Sequence, residues 1–325
     1  MPIYACSRIT TKRRVGCKVS VAFVRASNPY TMTRKPPASV TRTLRQEVGF
    51  GCPIDGCGNP YLEWHHFDPP WSEEEHHRPE GMIALCVSHY KKADGGAYTR
   101  EQFRALKSNC AQAESIRGEF EWLRNELLAF VGGNFYHETM RIVTIDSNDI
   151  VWFNRNENGY LRLNVRMLSL LPRERAIIED NIWTNVGAPI DLKYPPHGKE
   201  LTIEYENGDY LQVRFSVLNT PEEAYEKYHC EALRASGSIN YPMTTVEVNC
   251  RIGGTSVDLR PTSTSIGANV FSGNFVSHCG GGFSINVGGR WLQNPSLLPF
   301  IPTSRLTRCP CGSGLRFKHC HGLLI

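Results

Sequence analysis

Two groups of cysteine and histidine stand apart in the 325-residue chain. The first runs Cys52-Pro-Ile-Asp-Gly-Cys57, passes His65-His66, and closes with Cys86-Val-Ser-His89. The second is Cys309-Pro-Cys311 followed by His319-Cys320-His321. Zinc takes four soft or borderline ligands in a tetrahedron, and a Cys-x4-Cys knuckle followed by Cys-x2-His supplies such a set in Cys52, Cys57, Cys86 and His89. The surrounding module, residues 39–107, is too small to bury a large core. A structural zinc ion, worth roughly 10–16 kcal/mol, would offset that shortage. The plainer alternative is four unrelated buried residues.

Composition sets the frame. The chain is 41% apolar and 21% charged, which fits a soluble globular protein of two or three domains. No stretch approaches the roughly 18 uninterrupted apolar residues of a membrane helix, so a cytoplasmic protein without a membrane partner is expected. Of its twelve cysteines, six belong to the two groups. Cys6, Cys17, Cys110, Cys230, Cys250 and Cys279 are scattered and are expected as buried free thiols of a reducing compartment. The net charge of +4 arises from the leader, whose first 31 residues hold six cations and no acid, leaving the remainder net acidic. Residues 1–38 are expected to be disordered or an upstream extension, with the natural start at Met32. An Arg-rich transit peptide and a basic arm for nucleic acid are the competing readings.

The elements that must hold the site follow from periodicity and turn residues. Val40 to Val48 is helix-like. Ile116, Phe120, Leu123, Leu127 and Phe130 recur at helical spacing, which predicts a connecting helix over 108–131 stopped by Gly132-Gly133. Residues 132–300 form a strand-rich domain in this reading. Strands are expected at Arg141–Ile145, Ile150–Phe153, Tyr160–Val165, Leu201–Tyr205, Tyr210–Phe215, Thr245–Ile252, Ser256–Leu259 and Phe283–Val287, with a short helix from Pro221 to Tyr228. Glu206-Asn-Gly-Asp209 is a hairpin signal. Trp152, Phe153, Tyr205, Tyr210 and Phe215 are expected in the core. The fold class is therefore α+β: a small zinc module, a connecting helix, a strand-rich middle domain and a zinc tail at 301–325.

The order knuckle, Trp64-His65-His66-Phe67, hydrophobic run and second knuckle resembles the zinc-stabilised branch of the HNH endonucleases, over about 60 residues. The resemblance implies a ββα fold clasping one catalytic divalent ion (Mg²⁺, Mn²⁺, Ni²⁺ or Zn²⁺) and hydrolysis of phosphodiester bonds. His66 would be the general base and His65 a metal ligand. The plainer alternative for both is packing or a hydrogen bond. The family's central Asn falls at Gly81, and its last His falls at Tyr90, a poor ligand at neutral pH. Asp68, His76, His77 and Asp94 are candidates to substitute. For His76-His77 a solvated loop beside Glu73-Glu74-Glu75 is the simpler expectation. Lys91, Lys92, Arg100, Arg104 and Lys107 could form a basic patch beside the site.

The tail, Cys309-Pro-Cys-Gly-Ser-Gly followed by Phe317-Lys-His-Cys-His321, resembles the SEC-C motif best known from the bacterial preprotein-translocase motor. The resemblance implies a second structural zinc on Cys309, Cys311, Cys320 and His321, and a module that docks a protein partner. His319 would be a surface neighbour. Together these features lead to the expectation of a metal-dependent endonuclease acting on nucleic acid, DNA ahead of RNA, in a bacterial antiviral setting. The alternative is a catalytically inactive HNH-like zinc protein that binds nucleic acid or a partner.

Overall fold

The computed structural model describes residues 32–108, 116–145, 147–167, 175–185, 188–206, 208–252, 257–266, 269–285, 302–310, 314 and 316–319. The readings made for residues 1–31 of the leader, for Cys6, Cys17 and Cys110, and for Cys311, Cys320 and His321 fall on residues outside these. Residues 35–325 form one compact unit. It is a mixed α/β structure, rich in strands and with few helices. Among the described residues no helix is long and apolar enough to cross a membrane.

The N-terminal module opens with helix α1 (Ala38–Glu47), which begins right after Pro36-Pro37 and presents Leu44 to the interior. Strands β1 (Leu62–His66) and β2 (Met82–Cys86) pair antiparallel, with Leu62 opposite Cys86 and His66 opposite Met82. Helix α2 (Val87–Asp94) follows β2 without a linker, and helix α3 (Arg100–Lys107) starts at a capping box built by Thr99 and Gln102. All five residues of β2 are buried, so its sequence Met-Ile-Ala-Leu-Cys shows no alternation. Leu44, Val48, Phe67, Ile83, Leu85 and Phe103 make the small core of this module.

Two larger sheets carry the rest. One runs, in spatial order, Phe283–Ile285, Arg141–Ile145, Asn148–Arg155, Leu161–Arg166, Ile177–Glu179, Ile182–Thr184 and Arg117–Glu119. The other is built on Pro189–Lys193, Glu200–Tyr205, Tyr210–Leu218 and Met243–Ile252, and continues through Val257–Leu259 to shorter strands. A single apolar cluster joins their faces, with Val151, Leu163 and Ile178 from one and Leu201, Val213 and Val248 from the other. A second cluster, around Phe130, Phe135 and Leu218, lies beneath the helix Pro221–Tyr228 and its successor Glu231–Ala235. Phe153 and Tyr205 are buried as expected, and Cys250 is a buried thiol, whereas Cys279 is exposed and Cys230 half-buried.

The expected connecting helix does not form over residues 116–131. Arg117–Glu119 pairs with Ile182–Thr184, and Leu128–Val131 lies parallel to Met243–Ile252. The helical spacing was misleading because the apolar residues serve different partners. Ile116, Phe120 and Leu127 enter the main core, Phe130 faces the second cluster, and Leu123 is exposed. The unbroken run Leu127 to Val131 is buried on both sides, which is the signature of an interior strand rather than a helix face. Gly132 and Gly133 both have positive φ and turn the chain directly into the antiparallel strand Asn134–His137.

Several contacts tie the N-terminal module to the sheets, among them a pair between Arg42 and Glu204 (3.3 Å). Arg45 makes a bidentate pair with Asp191 (2.9 and 2.7 Å). Gln46 donates to the carbonyl of Ile190 (2.7 Å), and the rings of Tyr61 and Tyr194 pack 4.7 Å apart. Deeper inside, Arg175 and Asp209 form a buried ion pair (2.9 Å) with the guanidinium 4.3 Å from the Tyr205 ring. Arg175→Met would strand a buried carboxylate. A loss of roughly 3–5 kcal/mol in denaturant unfolding is expected, with Arg175→Met/Asp209→Leu recovering most of it.

Candidate metal centre and histidine cluster

The Cys52–Cys57 segment folds back on itself through Cys52 N–H to Asn59 O (2.9 Å) and Cys57 N–H to Ile54 O (2.9 Å). Cys86 is the last residue of β2 and precedes α2, which places His89 in the first turn of that helix. Four donor atoms thereby converge: those of Cys52, Cys57, Cys86 and His89 all lie within 4.8 Å of one another. The Nδ1 of His89 is 3.4 Å from the Cys52 sulfur and 3.1 Å from the Cys86 sulfur, and the Cys57 and Cys86 sulfurs are 3.8 Å apart. Tetrahedral zinc with bonds of about 2.3 Å to sulfur would set its sulfurs about 3.8 Å apart. The donor set therefore fits a structural zinc ion, and it is the one cluster of three or more metal-ligating groups among the described residues.

The electrostatics agree with this assignment. Burial pushes the Cys52 thiol up to about 12, and burial likewise raises Cys86. Burial, aided by Lys92, lowers His89 and so favours its neutral imidazole. Neutral imidazole is the ligating form, while buried thiols ionise here only with a cation to hold the charge.

Beyond the knuckles, β1 sends its two histidines to different faces, as successive strand residues must go. His65 is directed toward the helices: its Nδ1 is 3.2 Å from the Asp94 carboxylate at the end of α2, and its ring meets Tyr90 (5.8 Å) and Phe103 (5.0 Å). His66 is 5% exposed and is enclosed by Trp71 (4.7 Å), His76 (5.1 Å) and His77 (5.9 Å). Its Nε2 donates to the His76 carbonyl (2.9 Å), which directs Nδ1 to act as the acceptor.

His76 departs from the sequence expectation. It is buried, not solvated: its Nε2 donates to the Pro69 carbonyl (2.9 Å) and its Nδ1 accepts from the Arg78 backbone (3.1 Å). Gly81 explains the placement. A Cβ there would fall 2.1 Å from the Asp68 carbonyl oxygen and 2.9 Å from the His76 ring, so no side chain fits at 81. The Gly81 carbonyl instead accepts from Phe67 and Asp68 (2.9 and 3.2 Å) and pins the chain just after His66. His76 is among the sequence candidates, but with a solvated loop as the simpler expectation; it is buried because the loop 67–79 folds back over β1, which composition does not reveal.

The expected basic patch is also revised. Arg104 pairs with Asp68, Arg100 pairs with Asp68 and Glu73 (3.4 and 3.1 Å), and Lys107 bonds Glu47 and the carbonyls of Pro79 and Met82. Only Lys91 and Lys92 of the five are exposed without such a tie among the described residues. The same pairs occupy Asp68 and weaken it as a metal ligand, which leaves Asp94 as the substitute that meets His65.

In the tail, Cys309 is buried and Phe317 packs inside, with Phe317 N–H donating to Thr307 O (2.8 Å). The SEC-C motif matches residues 307–323. Over 26 residues the chain is 65% identical to a protein translocase subunit SecA of Anaplasma marginale (strain St. Maries). That match covers 8% of this chain and 3% of the SecA subunit, so the likeness is confined to the tail. No solved structure matches the chain. SEC-C is a zinc-binding motif, and the chain therefore carries that motif and, separately, a Cys/His cluster that could hold a metal ion.

Elemental analysis of the purified protein is expected to find about two zinc per chain, and Cys57→Ser to remove one. Zinc uptake at the first cluster should release protons, so its affinity falls as pH is lowered. A zinc content unchanged in Cys57→Ser would contradict the assignment.

Proposed function

We propose that the N-terminal module is a metal-dependent endonuclease of the HNH type that hydrolyses phosphodiester bonds, DNA ahead of RNA. One observation carries the reading: Asp94, one helical turn beyond Tyr90, brings a carboxylate to 3.2 Å from His65 Nδ1. Two donor atoms at that spacing can share one divalent ion at about 2.1 Å. Asp94 then supplies from the end of α2 the ligand that Tyr90 does not. In this mechanism His66, held by the His76 carbonyl, draws the proton from the attacking water through Nδ1. The bound cation would stabilise the developing charge on the leaving oxygen. The orienting task that resemblance assigned to a side chain at Gly81 falls to the backbone of His76. The SEC-C tail would bring a protein partner, and a role in bacterial antiviral defence rests on analogy of module order alone.

A second reading follows from the burial of His66 behind Trp71 and His77. A base must reach its water, so a module closed in this way would bind nucleic acid or a partner without cutting it.

Plasmid and single-stranded DNA and RNA incubated with Mg²⁺, Mn²⁺ or Ni²⁺ separate the two. The first reading expects cleavage that falls about 100-fold or more in His66→Ala and that in Asp94→Ala is lost or restored only at a much higher metal concentration, with zinc content intact in both. No cleavage with any metal, while nucleic acid still binds, leaves the second. Tyr90→His should tighten Mn²⁺ binding about tenfold by calorimetry. An unchanged affinity would break the assignment of that position.

A further inference from the structure

A cavity of about 680 Å³ lies where the N-terminal module meets the sheets, away from His65 and His66. Val87 and Ser88, the first two residues of α2, form part of its wall, and Lys91 stands one turn further along that helix. Stretches 119–122 and 196–199 line it from the sheet side.

Its chemistry is divided into two kinds. Tyr61, Trp122 and Phe215 give it aromatic surface, the last two with rings 5.1 Å apart. Trp122 is 5% exposed, and its indole N–H has no acceptor among the described residues. Buried donors are almost always satisfied, so a ligand acceptor at this ring would remove a standing penalty. Lys91, Arg124 and Lys199 contribute positive charge, and among the described residues none is ion-paired to a carboxylate. Arg124 is held in place by Thr244 Oγ1 (2.8 Å) and the Leu123 carbonyl (2.9 Å). The first turn of α2 stands in the same wall beside Cys86, whose sulfur accepts from the His89 backbone. Glu119 and Glu121 are the acids of the lining, and they leave one formal positive charge in excess.

We infer that this cavity binds a nucleoside monophosphate unit, free or at the end of a strand. Tyr61 and Phe215, both half-buried, can pack against a base, and the indole N–H suits a ring acceptor. The cations Lys91, Arg124 and Lys199 suit one phosphate group, because so small an excess of charge does not suit a triphosphate. The two carboxylates can accept from ribose hydroxyls. The inference does not rest on the nuclease reading and survives its failure.

Isothermal titration of the full-length protein tests it, with adenosine and guanosine 5′-monophosphate as probes. Adenosine, ribose 5-phosphate and a 5′-phosphorylated dinucleotide form the comparison arms. Saturable one-to-one binding of a monophosphate is expected, at least about tenfold weaker for adenosine and for ribose 5-phosphate. Lys91→Ala/Lys199→Ala should weaken it about tenfold while the melting curve stays that of the parent, and Trp122→Phe should weaken it by a similar factor. Tighter binding of the dinucleotide assigns the site to a strand end, and tighter binding of the mononucleotide assigns it to a free ligand. No saturable binding of any phosphorylated probe, or binding indifferent to the lysine pair, overturns the inference.

Discussion

Three sulfurs and an imidazole nitrogen are crowded into one point at the foot of β2, and the geometry of the module hangs on that convergence. Such a cluster is unfavourable for the protein alone, since burial opposes thiolate formation at Cys52 and Cys86. A shared divalent ion reverses the sign, because the charge it brings stabilises the same thiolates that burial disfavours. The convergence joins the turn after α1, the last residue of β2 and the first turn of α2. Fixing those three points fixes the register of β1 against β2, and with it the positions from which His65 and His66 leave the strand.

The histidines show how a β-strand divides labour. His65 shares its face with Phe67, and Phe103 touches both rings. His66 lies under the loop 67–79, which is held by backbone bonds from Phe67 and Asp68 to the Gly81 carbonyl and by the His76 ring donating to the Pro69 carbonyl. Gly81 is needed bare, since the space a side chain would use is filled by Asp68 backbone and the His76 ring. The bare position at Gly81 is thus a packing requirement of the loop whose His76 carbonyl accepts from His66.

Much of the fold was legible because it is local. The hairpin strands around Glu206-Asn-Gly-Asp209 and the helix Pro221–Tyr228 lie where turn residues and alternation placed them. The Cys and His spacing gave the first metal set for the same reason. Segment 116–131 was illegible because its apolar residues serve two separate clusters, and three- and four-residue spacing then imitates a helix face. The neutralisation of Arg100 and Arg104 was hidden because their carboxylate partners sit on a distant loop of the same module. His76 was hidden in the same way, by a fold-back that no periodicity records.

The parallel seating of Leu128–Val131 against Met243–Ile252 carries a consequence for how the chain is made. Leu128 lies opposite Thr245, so the earlier strand leaves the ribosome long before its neighbour exists. Pairings of that span are slow, because the intervening loop must close before any contact rewards it. Until then the run Leu-Ala-Phe-Val is a bare apolar edge, while the N-terminal module can already close on its own local contacts. Vectorial synthesis therefore completes the N-terminal Cys/His module before the sheets that support it.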